Sequence, residues 1–178
     1  MYADNSLTPK EAARLCALGT LADGVLAYDE LASSVRYFMD RVQGPTLDVM
    51  GSSIELLKYE GLVAVKSSEI KLEILEITDE GRVELKTLLT AHMRPGATDL
   101  NKLIIALKFR FMHLLDIQDQ QIQAGILIDT TETELARLSD LRQNYLPESG
   151  HIVSWIEHEI QILQSRIDWL CSFKYKLI

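Results

Sequence analysis

The side chains most able to do chemistry in the first half of this 178-residue chain are cations and hydroxyls: Arg36, Arg41, Lys58, Lys66 and Lys71, with Thr46, Ser52 and Ser53 among them. Lys and Arg neutralise phosphate and release its counterions. Ser and Thr hydroxyls bond to base edges or to phosphate. Gly51 allows close backbone approach, at a cost of about 1 kcal/mol of helix propensity. Together these groups fit a polyanion-binding surface. Covalent and metal chemistry find less support. Cys16 and Cys171 sit far apart in apolar helical patterns and read as buried small hydrophobes. His151 and His158, with Glu157 and Glu159 nearby, straddle a loop boundary and read as a polar helix face. No phosphate-cradling glycine loop and no nucleophile–base signature is present, so no catalytic residue, metal or cofactor is expected. Phe109, Phe111, Trp155, Trp169 and Tyr175 could line an apolar ligand pocket between the two halves, although such spacing also fits plain core.

Charge runs against the polyanion reading. The net formal charge is −8. Residues 1–90 carry nine Lys+Arg against fifteen Asp+Glu, a balance of −6; residues 91–178 carry nine against eleven, a balance of −2. A few convergent cations can still make a local positive field. No apolar run reaches the length of a membrane span, and the N-terminus lacks a signal-peptide pattern, so a cytoplasmic protein without a membrane partner is expected.

The elements that would position these groups follow from the periodicity. Thr8-Pro9-Lys10-Glu11 opens a helix over residues 8–22, with a Thr cap, Pro at the first helical position and Glu at the third. A second helix starts near Tyr28, carries the stripe Leu31, Val35, Phe38, Met39 and Val42, and breaks at Gln43-Gly44-Pro45. A third runs from Thr46 or Asp48 to Tyr59 and stops at Glu60-Gly61. The period then changes. Residues 62–65 read as a strand, 66–69 as a tight turn, and 70–77 as a strand of mostly alternating apolar and charged residues. Thr78-Asp79-Glu80-Gly81 caps a fourth helix reaching about His92.

Arg94-Pro95-Gly96 reads as a linker, dividing the chain into 1–92 and 93–178. Beyond it the pattern is helical: an apolar helix from Asp99, a helix or broken pair over 117–144 with weak points at Gly125 and 129–131, a loop, and a last helix. In that helix Ile156, Ile160, Leu163, Ile167 and Leu170 form a heptad seam, and Trp155, Ile162 and Trp169 a second stripe beside it. A face that broad suits packing on its own domain and against a second copy of the chain. The fold class is mainly α with a small β-hairpin: an N-terminal winged helix-turn-helix and a C-terminal helical dimerisation domain.

The motifs sharpen this order. Leu57-Lys58-Tyr59-Glu60-Gly61-Leu62-Val63 resembles the Leu-Glu-x-x-Gly-Leu-Ile stretch that ends the recognition helix of PadR-like regulators. Ile77-Thr78-Asp79-Glu80-Gly81 is similar to their Leu-Thr-x-x-Gly after the wing, Leu18-Gly19-Thr20-Leu21 to their Leu-Gly-x-Leu, and Trp169-Leu170 to the Trp-Leu of their dimerisation helix. The chain departs from the pattern at Gly51, where the family carries Tyr, at Lys58, where it carries Glu, and in a short wing. The resemblance implies a homodimeric transcriptional repressor on a palindromic duplex-DNA operator, with possible relief by a small hydrophobic or phenolic effector. The expected DNA contacts are Arg36, Arg41, Thr46, Ser52, Ser53, Lys58, Lys66 and Lys71. The expected dimer residues are Trp155, Ile156, Ile160, Leu163, Ile167 and Leu170; the expected effector residues are Phe109, Trp155 and Trp169. The alternative is a winged-helix interaction or ligand-sensing module that has lost DNA binding, which the −6 balance of residues 1–90 favours. A small enzyme is the third reading.

Overall fold

Thr8 starts the first helix as its spacing requires. Its hydroxyl accepts from the Glu11 amide, and the Glu11 carboxylate accepts from the Thr8 amide at 2.6 Å, a complete capping box. The computed structural model describes residues 7–43, 50–69, 72–93, 99–144 and 150–177. They form α1 (Pro9–Ala22), β1 (Leu26–Ala27), α2 (Tyr28–Gln43), α3 (Met50–Tyr59), β2 (Val63–Glu69), β3 (Leu72–Ile77), α4 (Asp79–Thr90), α5 (Asp99–Phe111), a 3₁₀ turn (Met112–Leu114), α6 (Ile117–Asn144) and α7 (Ile152–Tyr175). Among the described residues no helix is long and apolar enough to cross a membrane.

The chain divides into two compact units, Met1–Leu114 and Leu115–Ile178. The division falls later than the linker at 94–96 suggests, because α5 packs against α1 and α2 in the first unit. In that unit α1 is the core: Ala12, Ala13, Leu15, Cys16, Ala17, Leu18, Gly19, Thr20 and Leu21 are all buried, as in a helix covered on every side. It packs on α2, α3, α4, α5 and β3. Leu31, Val35, Met39, Ile54 and Leu57 close over it from α2 and α3, each buried side chain contributing roughly 1.5–3 kcal/mol. Gly19 leaves room for the Phe111 ring, which would lie 2.6 Å from an added Cβ.

The sheet is three-stranded and antiparallel, in the order β1-β3-β2. β1 was not expected from the sequence; it is two residues long and shows no period. Residues 66–69, expected as a turn, continue β2, with Glu69 paired to Leu72. The register slips between Val65 and Ser67, leaving Lys66 as the extra residue of a bulge. Opposite it the apolar alternation changes phase: 70, 72 and 74 are apolar, then 75 and 77. Leu75 and Ile77 are the buried pair.

Lys108 on α5 is buried, 2% exposed, and donates to the carbonyls of Leu89 (2.5 Å) and Ala91 (2.9 Å) at the C-terminal end of α4. Those carbonyls lack helical partners and carry the negative end of the helix dipole. Burial pushes the ammonium pKa down to about 8.

In the second unit α6 and α7 run antiparallel. Gln121 near the start of α6 donates to Leu177 O at 2.8 Å, and Arg142 near its end pairs with Glu157 at 2.7 Å. α6 is continuous through its expected weak points. The hydroxyls of Thr130, Thr131 and Thr133 donate to carbonyls four residues back, at 2.7–2.8 Å, and so do not compete with the helix for amides.

Candidate nucleic-acid interface

Residues 57–81 tie the third helix to the hairpin. α3 ends in a Schellman motif: the Leu62 amide bonds to Leu57 O at 2.9 Å, the Gly61 amide to Lys58 O at 3.1 Å, and Gly61 takes φ +76°. Thr78 caps α4 by accepting from the Gly81 amide, and its hydroxyl donates to Gly61 O at 2.8 Å. A Cβ on Gly81 would lie 2.1 Å from Leu62 O, so only glycine lets α4 start this close to the hairpin. One knot of contacts thus joins the end of α3, the root of the hairpin and the start of α4. Arg14 reinforces it from α1, pairing with Glu60 at 2.6 Å and Glu84 at 3.4 Å. The Glu60 hydrogen bond raises the Arg14 pKa, and Arg14 in turn lowers that of Glu60.

The expected DNA contacts fall unevenly on this frame. Thr46 and Lys71 lie outside the described residues. Ser52 and Ser53 lie in the first turn of α3. Arg36 and Arg41 are exposed on α2, with the Arg41 guanidinium 5.1 Å from the Tyr37 ring centre. Lys58 is engaged within the protein: its Nζ lies 2.7 Å from the Glu73 carboxylate and 3.5 Å from Glu55, with the Tyr28 ring centre at 5.9 Å. The Glu73 hydrogen bond holds the Lys58 pKa above its ordinary value. Burial, and then Glu55, raise that of Tyr28. Lys66, at the bulge, pairs with Glu76 at 3.1 Å. The acidic balance of residues 1–90 therefore takes a specific form, in which hairpin glutamates sit on two of the cations expected to meet phosphate, Lys58 and Lys66. Glu55 was open to discovery from its i,i+3 spacing to Lys58. Glu73 was not, because its pairing joins α3 to β3 across 15 residues; strand alternation then places it on the side of Leu75 and Ile77.

On α7 the expected dimer residues separate into two lines. Ile156, Leu163 and Leu170 are buried, and α7 packs on α6, where Gln123, Ala124, Leu127 and Thr131 are the buried residues. Ile160 and Ile167 are half-buried. The inner seam is thus spent within the protomer. Trp155, Ile162 and Trp169, at 53%, 39% and 54% exposure, form the outward line, with Trp169 stacked on Phe173 at 5.8 Å. Cys171, expected to be buried, is exposed, one residue or about 100° around the helix from Leu170. Cys16 is buried, and burial pushes its thiol pKa up to about 11. Phe109 is half-buried on α5, and Trp155 and Trp169 are fourteen residues apart on α7, about 21 Å along the axis, beyond the span of one small phenolic molecule. His151 and His158 are exposed, and no group of three or more His, Cys, Asp or Glu able to hold a metal occurs among the described residues.

A family model described as "Putative AphA-like transcriptional regulator" matches residues 2–174. No curated protein matches the chain. Among solved structures it is similar to Bacillus subtilis PadR (17% identity, 97% of this chain and 98% of that one, TM-score 0.42) and to Bacillus subtilis PadR in complex with operator DNA (17%, 94% and 99%, TM-score 0.41). It is also similar to smu.1604c from Streptococcus mutans UA159 (16%, 96% and 100%, TM-score 0.39).

Proposed function

The chain belongs to the AphA-like family of transcriptional regulators, and from that premise we propose that it is a homodimeric, cytoplasmic DNA-binding repressor, not an enzyme. The observation that carries the reading is the knot at Gly61, Thr78 and Gly81, which fixes a three-helix unit and its hairpin in the order of a winged helix-turn-helix. In that docking mode the N-terminal half of the third helix faces base edges and the hairpin meets phosphate or the minor groove. Ser52, Ser53 and Thr46 are then the base-facing side, and Arg36, Arg41, Lys66 and Lys71 the phosphate contacts. Residues 1–92 are the DNA-binding part, with α5 packed onto it in the first unit, and α6 and α7 of the 93–178 part carry dimerisation. The outward line Trp155, Ile162 and Trp169 on α7 is the dimer surface, and the two reading heads face a palindrome. A small hydrophobic or phenolic effector relieves the repression, as the sequence resemblance implies.

The test is a mobility shift with the duplex upstream of the protein's own gene, at 50 mM and 150 mM salt. Binding at 50 mM that weakens steeply at 150 mM is expected. A failure to bind at 50 mM removes the reading. The glutamates on Lys58 and Lys66 favour a second reading, a winged-helix interaction module without DNA affinity, and that same failure would select it. Dimerisation is tested by sedimentation of Trp155→Glu/Trp169→Glu, expected to run at the protomer mass with an unchanged helical spectrum. A dimer that survives both charges would move the interface elsewhere.

A further inference from the structure

Lys58 and Glu73 come from different elements. Lys58 is in the last turn of α3; Glu73 is on β3, opposite Ser68 and one pair in from the end of the hairpin ladder. With Glu55 at 3.5 Å, a single ammonium is shared by two carboxylates, a local excess of one negative charge. The Lys58 side chain is 21% exposed, against 57% for Lys66, so it is the more enclosed of the two hairpin-facing lysines. Glu73 itself is 43% exposed and open to solvent. An ion pair of that exposure is a weak strut. It is well placed to exchange, because a duplex presents one negative charge per about 1.7 Å of its axis.

We propose that Glu73 is an electrostatic latch on the recognition helix: it holds Lys58 away from the backbone of bound DNA, and a duplex phosphate gains Lys58 only by displacing the wing carboxylate. Glu73 thereby sets the affinity of the whole reading head. The latch rests on the DNA-binding reading above. Because Lys58 lies at the far end of α3 from the base-facing residues, its contact is to phosphate, and the latch acts equally on every sequence.

The experiment measures binding of wild type, Glu73→Gln, Lys58→Met and the double variant to the upstream duplex and to an unrelated duplex of equal length, from 50 to 200 mM salt. Glu73→Gln is expected to tighten binding about five-fold or more on both duplexes at 50 mM. Its log–log salt slope is expected to steepen by about 0.9, one more phosphate contact. In the Lys58→Met background the same change is expected to gain less than two-fold. A full gain without Lys58 means that Glu73 merely repels DNA, and overturns the latch. So does binding that Glu73→Gln leaves at the wild-type level. If wild type binds neither duplex at 50 mM, the DNA-binding reading fails and the latch falls with it.

Discussion

In the first unit α1 is enclosed by four helices and a strand; in the second, α7 buries one line of side chains against α6 and turns two tryptophans outward. The first unit finishes its core by itself. Each of its motif residues has a local task there: Gly61 reverses the chain, Thr78 serves two helices, and Gly81 admits a carbonyl. The second is a two-helix hairpin, with a seam only one residue wide at each heptad. Two helices alone leave much apolar surface in water, and exposed apolar lines of this kind mark association surfaces. The contrast teaches that the same repeat of seven can serve two masters. Its inner members hold the protomer, and its outer members stay exposed.

Substitutions can break or sharpen that contrast. Leu163→Ala should cost about 3 kcal/mol and loosen the α6–α7 hairpin, seen as lost helical signal at low urea. An unchanged melt would mean that the inner seam carries little. Lys108 gives the first unit a pH dependence. Its folded pKa, about 8, lies below its unfolded value of 10.5, so between those values the unfolded chain holds more protons and stability rises with pH. On the order of 2–3 kcal/mol should be gained between about pH 8 and pH 10.5. Comparing urea midpoints of wild type and Lys108→Met across that window isolates the effect; parallel profiles would show that Lys108 does not titrate there. Gly81→Ala should cost about 2 kcal/mol through the clash with Leu62 O, while Gly24→Ala, which meets nothing within 4 Å, should stay within about 0.5 kcal/mol of wild type. Equal melts for the two would dissolve the knot. Thr8→Ala should be the smallest, about 1 kcal/mol for one lost cap, read as a lower urea midpoint with an unchanged slope.

Much of the first unit was legible because its signals are local. The capping box at Thr8 and Glu11, the Gly61 stop and the Thr78 cap each act within a few residues, and each is where the spacing puts it. The turn expected at 66–69 went wrong because polar residues there suggested a reversal, whereas the ladder runs on to Glu69. The boundary expected after 92 reflected Pro and Gly punctuation, and packing of α5 overrode it. The candidate site was legible only in part. Residue types identified the cations, but the partnership of Lys58 with Glu73 joins α3 to β3 across 15 residues, and no local spacing reveals it. On α7 the step of seven shows in the buried Ile156, Leu163 and Leu170, yet no count tells which of two adjacent lines its own hairpin will claim.

The Thr78 hydroxyl accepts from α4 and donates to the last loop of α3. One oxygen atom is therefore a joint shared by two helices. A change at the hairpin root therefore reaches the end of α3 and the start of α4 together, and drift in this lineage should leave position 78 with a hydroxyl.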